Sequence, residues 1–155
     1  MNAHTQTRRG FLRKAGFLTA AASALTLLPR LALAAWNKPA FESKSLADAY
    51  AAMGVESPTA SGDVQLLASD IAENGAVVPV QAVSKLPNTT QISFLVEKNP
   101  NMLAAMFDIG PDTVPDVTTR IKMGQTSNVI ALVKADGKFY TATKEIKVTL
   151  GGCGG

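Results

Sequence analysis

Asn128-Val129-Ile130-Ala131-Leu132-Val133-Lys134, the link Ala135-Asp136-Gly137, and the run from Lys138 to Leu150 form the stretch whose reading decides the fold. Ile146, Val148 and Leu150 alternate with polar residues at the period of two that a half-buried strand requires. Asp136-Gly137 between two such runs is a strong hairpin signal, because both central residues of a type I′ turn need positive φ. The last two strands therefore pair antiparallel.

Upstream the same grammar repeats. Val64 to Ser69, Val77 to Val83, Gln91 to Glu97, Leu103 to Ile109 and Thr118 to Met123 are further short β-prone runs. They are separated by Glu73-Asn74-Gly75, Leu86-Pro87-Asn88, Asn99-Pro100-Asn101 and Gly110-Pro111-Asp112, all turn-forming. Ile92, Phe94 and Val96 again alternate, so one face of each strand is expected to be buried. Before the strands, Ser43 or Ser45 can cap a helix over Leu46-Ala47-Asp48-Ala49-Tyr50-Ala51-Ala52-Met53, and Gly54 is placed to stop it. Seven strands with regular turns imply a mainly β fold: an immunoglobulin-like antiparallel β-sandwich with an N-terminal helix and a flexible C-terminal arm. With one cysteine and one tryptophan there is no Cys-Trp-Cys core, so the likeness to antibody domains is architectural. Val77 to Val83 and Ile130 to Val133 read as inner-face strands rather than as a subunit interface. Met102, Met106 and Met123 read as fillers of core gaps, Phe94, Phe107, Phe139 and Tyr140 as core or interface residues, and Asn88-Thr89-Thr90 as a plain loop.

Residues 1–34 have a different character. Thr7-Arg8-Arg9-Gly10-Phe11-Leu12-Arg13-Lys14 is a twin-arginine sequence, followed by a weakly hydrophobic stretch from Ala15 to Pro29 and the small-x-small site Ala32-Leu33-Ala34. This is the pattern of a Tat export signal, with Arg8 and Arg9 as its readable pair and cleavage expected after Ala34. The uncharged stretch is shorter than the about 20 strongly apolar residues that span a bilayer. The organisation expected is a cleaved signal over 1–34, a helix-plus-sandwich domain over 35–150, and a tail over 151–155. The protein should then work in the periplasm.

Cleavage would reverse the charge. The whole chain is formally +3, but Arg8, Arg9, Arg13, Lys14 and Arg30 belong to the signal, leaving ten basic against twelve acidic residues. With Arg120 as its one arginine and no basic run, the mature chain has no nucleic-acid footprint. His4 leaves as well, so no imidazole remains for a Cys-His or Ser-His-Asp centre. One cysteine with carboxylates is a poor ligand set for zinc or copper, and a Cys-x-x-Cys redox pair lacks its second member. Neither a metal, a cofactor nor an autonomous enzyme is expected.

What remains is Gly151-Gly152-Cys153-Gly154-Gly155, where the only cysteine is flanked by residues that have no side chain to pack. Glycine keeps the segment thin and conformationally free, so the thiol is presented to something outside the fold. Too few residues follow Cys153 for a prenylation box. An odd cysteine in an exported protein can serve as an intermolecular disulfide handle. The final Gly154-Gly155 also resembles the end of ubiquitin-like sulfur carriers, but their ATP-dependent activation has no supply in the periplasm. An isolated cysteine has a pKa of about 8.5. The nearest cation in sequence is Lys147, and the carboxylate of Gly155 disfavours a thiolate, so activation should come from partners.

The Tat signal, the cysteine within Gly-Gly-Cys-Gly-Gly, and the stretches Ile71-Ala72-Glu73-Asn74-Gly75-Ala76-Val77-Val78-Pro79-Val80, Gln125-Thr126-Ser127-Asn128 and Val133-Lys134-Ala135-Asp136-Gly137-Lys138 together resemble the SoxY family of thiosulfate-oxidation carrier subunits. The resemblance implies a non-catalytic carrier that forms a heterodimer with SoxZ and docks transiently with SoxAX, SoxB and SoxCD. It further implies that Cys153 is the covalent attachment point for thiosulfate-derived sulfur. Gly151, Gly152, Gly154 and Gly155 would form the flexible arm around it. From the residues alone, an exported immunoglobulin-like binding module with a C-terminal disulfide handle stays open as the alternative.

Overall fold

The computed structural model describes residues 36–150, and within them the order is two helices followed by nine strands. Helix α1 spans Lys38–Glu42 and α2 spans Leu46–Met53. The strands are β1 Thr59–Ala60, β2 Val64–Ala68, β3 Ile71–Ala72, β4 Val78–Ser84, β5 Thr89–Val96, β6 Leu103–Asp108, β7 Asp116–Ile121, β8 Ser127–Ala135 and β9 Lys138–Val148. No helix of the described residues is long and apolar enough to cross a membrane.

Local chemistry explains the helix ends. Ser45 caps α2 by accepting from the Asp48 N–H at 3.0 Å, and Gly54 ends it in the left-handed conformation at φ 69°, where the lack of a Cβ removes the steric cost. Ser43, the other candidate cap, instead donates to the Ala40 carbonyl at 2.6 Å and closes α1. The short α1 was not expected from sequence; Asn37 caps it and Pro39 sits in its first turn, where a missing N–H costs nothing. The Asn37 side-chain amide also donates to the Ala52 carbonyl at 2.8 Å, which ties the two helices together.

The strands form two sheets. The larger runs β1-β9-β8-β5-β6, with β3 also on the outer edge of β9; the smaller runs β2-β4-β7. All seven expected strands are present, and the pairs β8–β9, β5–β8, β5–β6, β2–β4 and β4–β7 are antiparallel. The additions β1 and β3 are two residues each and run parallel to β9. The turn between β8 and β9 has φ 48° at Asp136 and 73° at Gly137, as a type I′ turn demands.

Between the sheets, Val78, Val80 and Ala82 of β4 face Ile92, Phe94 and Val96 of β5 and Val129, Ala131 and Val133 of β8, with Ile146 and Met123 completing the core. Phe94 meets Phe107 edge to face, ring centroids 6.5 Å apart, a favoured aromatic geometry. The expectation of one buried face per strand fails for β5 and β8. Leu95, Ile130 and Leu132 on their other face are buried too, packed with Leu103 and Phe139 under Ala40, Ala49 and Val55 of the helical segment. A helical layer covers the larger sheet, so its central strands lose their alternation and read as continuous apolar runs. Ser93 sits under that layer, its hydroxyl without a hydrogen-bond partner among the described residues.

Candidate functional site

The β8–β9 hairpin turns at one end of the sandwich, so β9 delivers Val148, Thr149 and Leu150 to the other. Three segments meet them there. On one side the parallel partner β3 and the turn after it supply three bonds: the Lys147 N–H donates to the Asp70 carbonyl at 2.9 Å, the Thr149 N–H to the Ala72 carbonyl at 3.1 Å, and the Gly75 N–H to the Leu150 carbonyl at 2.8 Å. The Thr149 hydroxyl adds a bond to the Glu73 carbonyl at 3.2 Å. On the opposite side the Val148 N–H donates to Thr126 Oγ1 at 3.0 Å. Gly75 is buried, and its carbonyl accepts from the Met123 N–H at 2.7 Å, which joins the two supporting loops to each other.

A second tier of bonds stiffens those loops. Asn99 donates from its amide to the Lys122 carbonyl at 2.7 Å and accepts from the Gly124 N–H at 3.1 Å. Ser127 Oγ accepts from the Lys98 N–H at 3.0 Å, and the Asn128 amide reaches Glu97 at 3.0 Å. Lys144 bridges Asp70 at 2.8 Å and also reaches the Ala68 carbonyl, stapling the β2–β3 connection to β9. The hydrogen bond and charge of Lys144 hold the Asp70 carboxyl below the ordinary aspartate range.

The surface beside this root is apolar. Ile71, Val77 and Leu150 are 53%, 51% and 65% exposed there. Ile71, Val77 and Pro79 line a depression of about 310 Å³ with Ala72, Glu73 and Asn74. Larger depressions, of about 570 Å³ around Glu56, Gly137 and Tyr140 and about 350 Å³ around Asn88, Thr90 and Pro111, lie at the hairpin end. No group of three or more metal-ligating side chains occurs among the described residues.

Arg8, Arg9, Gly151, Gly152, Cys153, Gly154 and Gly155, and with them the signal and arm segments, lie outside the described residues. The structure places their neighbour: Leu150 is fixed on a three-segment platform, and Cys153 is three residues beyond it, at most ~11 Å at ~3.3–3.6 Å per residue. Two of the stretches that carried the family resemblance, 71–80 and 125–128, converge on that platform from opposite sides. The roles of Gly75, Thr126 and Thr149 were missed in sequence. Their only signals were a glycine inside a turn and hydroxyls at strand ends, both common in any β protein.

Comparisons with known proteins agree on what this architecture is. The family described as "Sulfur oxidation protein SoxY" matches residues 49–153. The sulfur carrier protein SoxY from Chlorobium limicola f thiosulfatophilum is 40% identical with a TM-score of 0.62, over 70% of this chain and 96% of that one. A superoxide reductase (neelaredoxin) from Ignicoccus hospitalis aligns at 18% identity and a TM-score of 0.50, over 55% of this chain and 79% of that one; this is a likeness of fold alone. No curated protein matches the chain.

Proposed function

The chain belongs to the SoxY family, and from that membership we propose that it is a covalent carrier of sulfur intermediates, with Cys153 as the attachment point and residues 151–155 as a swinging arm. The observation that carries the reading is the extent of the family match, which runs from residue 49 through to Cys153. A carrier needs a displayed nucleophile and no pocket of its own, and the glycines on either side of Cys153 suit a thin arm entering a partner's channel.

The chemistry is divided among partners. In SoxAX the Cys153 sulfur bonds to the outer sulfur of thiosulfate; the thiol proton goes to solvent and two electrons pass to the cytochrome, giving a cysteine S-thiosulfonate. In SoxB, water attacks the terminal sulfonate sulfur, the bond between that sulfur and its neighbour breaks, and sulfate leaves with a persulfide remaining on Cys153. Where SoxCD is present it oxidises that sulfane sulfur before SoxB releases it. SoxZ is the stable partner, the Tat signal with Arg8 and Arg9 delivers the folded chain to the periplasm, and the apolar rim of Ile71, Val77 and Leu150 is the face nearest each docked enzyme.

Substituting Cys153→Ser tests this. Thiosulfate turnover by the reconstituted system should vanish while the melting temperature stays that of the wild type. Retained turnover would leave the cysteine as a disulfide handle on a binding module.

A further inference from the structure

We propose that Thr126 and Gly75 are positioning residues for the arm, pinning β9 out to Leu150 so that the swinging part begins there and no earlier. The inference rests on the carrier reading for its consequence, but not for its geometry. Pairing between β8 and β9 stops at Ser127 opposite Ile146. Past that rung, β9 has no strand on its β8 side among the described residues. Amides alternate sides along a strand: those of Lys147 and Thr149 face β3 and find the Asp70 and Ala72 carbonyls. The Val148 amide faces the other way, where the backbone ladder has ended, and the Thr126 hydroxyl takes it at 3.0 Å. That side chain therefore supplies a rung that no strand provides. Gly75 completes the clamp from the opposite side by donating to the Leu150 carbonyl and accepting from the Met123 amide.

Arm length is what the clamp controls. Pinned at Leu150, three residues lead to Cys153; freed back to Lys147, six would. Effective concentration falls as about the −3/2 power of tether length, so doubling the tether dilutes the adduct at a docked active site roughly threefold. Docking itself, which uses the folded surface, is unaffected. The expected signature is a lower kcat with an unchanged KM for the carrier.

Three carriers decide the matter: wild type, Thr126→Val, which is close in shape but lacks the acceptor, and Thr126→Ser, which keeps it. In the reconstituted system with carrier concentration varied, Thr126→Val, which leaves the Thr149 and Leu150 bonds in place, should lower kcat by less than that roughly threefold limit at constant KM, and Thr126→Ser should restore it. Because Cys153 is the only cysteine, spin labels on it and on Thr118→Cys, at an exposed position of β7, report the arm directly. Their distance distribution should broaden in Thr126→Val and return to wild-type width in Thr126→Ser. A wild-type distribution and kcat in Thr126→Val would overturn the proposal. So would a lowered melting temperature with unaltered kcat, which marks a role in folding only. The spin-label result stands even if turnover proves independent of Cys153, so failure of the clamp and failure of the carrier reading are told apart.

Discussion

At the hairpin end of the sandwich the chain reverses on two adjacent residues, Asp136 and Gly137, whereas at the arm root it is held by bonds between residues 22 and 76 positions apart. The reversal at the hairpin end follows local backbone preference, with the Asn88 amide adding a 2.8 Å bond to the Asp136 carboxylate. The root exists only when β3, the turn at Gly75 and the loop at Thr126 have all arrived. Local geometry at the first end sets strand register, and hence stability; assembled geometry at the second fixes β9 out to Leu150, from which, on the proposed carrier role, a tethered group would be presented. The comparison teaches that one strand, β9, carries both duties at its opposite ends.

Substitutions that separate the two duties put this to the test. The largest effect is expected beyond the root. Gly152→Val should widen the arm against a partner's channel and lower turnover by roughly a hundredfold, the order that misplacement of a reacting group costs, with no change in melting temperature; equal turnover would refute the channel idea. At the hairpin end the pattern should invert. A Cβ at Gly137 would meet nothing within 4 Å, so Gly137→Val costs only the strain of a β-branched residue at φ 73°, about 1–3 kcal/mol. That should lower the melting temperature by roughly 5–15 °C while the folded fraction keeps its turnover. A turnover defect there would mean that the two ends are coupled.

The smallest effect concerns pH. Asp70 is held below its ordinary range in the folded state by Lys144, so its contribution is present above the unfolded-state value and is lost as pH falls through the folded-state value. Denaturant titrations should show Asp70→Asn slightly less stable than wild type near pH 6, about two units above the ordinary aspartate pKa, with the gap closing as acid protonates the carboxyl. A gap that is constant with pH would assign the difference to something other than this ion pair. The side chain is 85% exposed, and an ion pair so placed contributes little.

Legibility in the sequence divides along the same line. The type I′ turn, a serine cap narrowed to Ser43 or Ser45, the Gly54 stop and all seven long strands were readable because each depends on neighbours within a few residues. The second buried face of β5 and β8 was not, since Leu95, Ile130 and Leu132 are covered by a helical layer whose docking no local pattern announces. Nor were β1 and β3, two residues each and defined only by lying against β9. Cys153, the proposed attachment point, stood out by its setting among glycines. Thr126 and Gly75 did not, because a hydroxyl before a strand and a glycine in a turn acquire their meaning only from the chain that folds against them.

The most direct measurement is the intact mass of the periplasmic protein from cells given thiosulfate, before and after reductant, with peptide mapping of residues 151–155. The carrier account requires a chain that begins near Ala35 and bears reductant-labile thiosulfonate or persulfide on Cys153. Free thiol or a plain protein disulfide alone, while thiosulfate is being consumed, would contradict it.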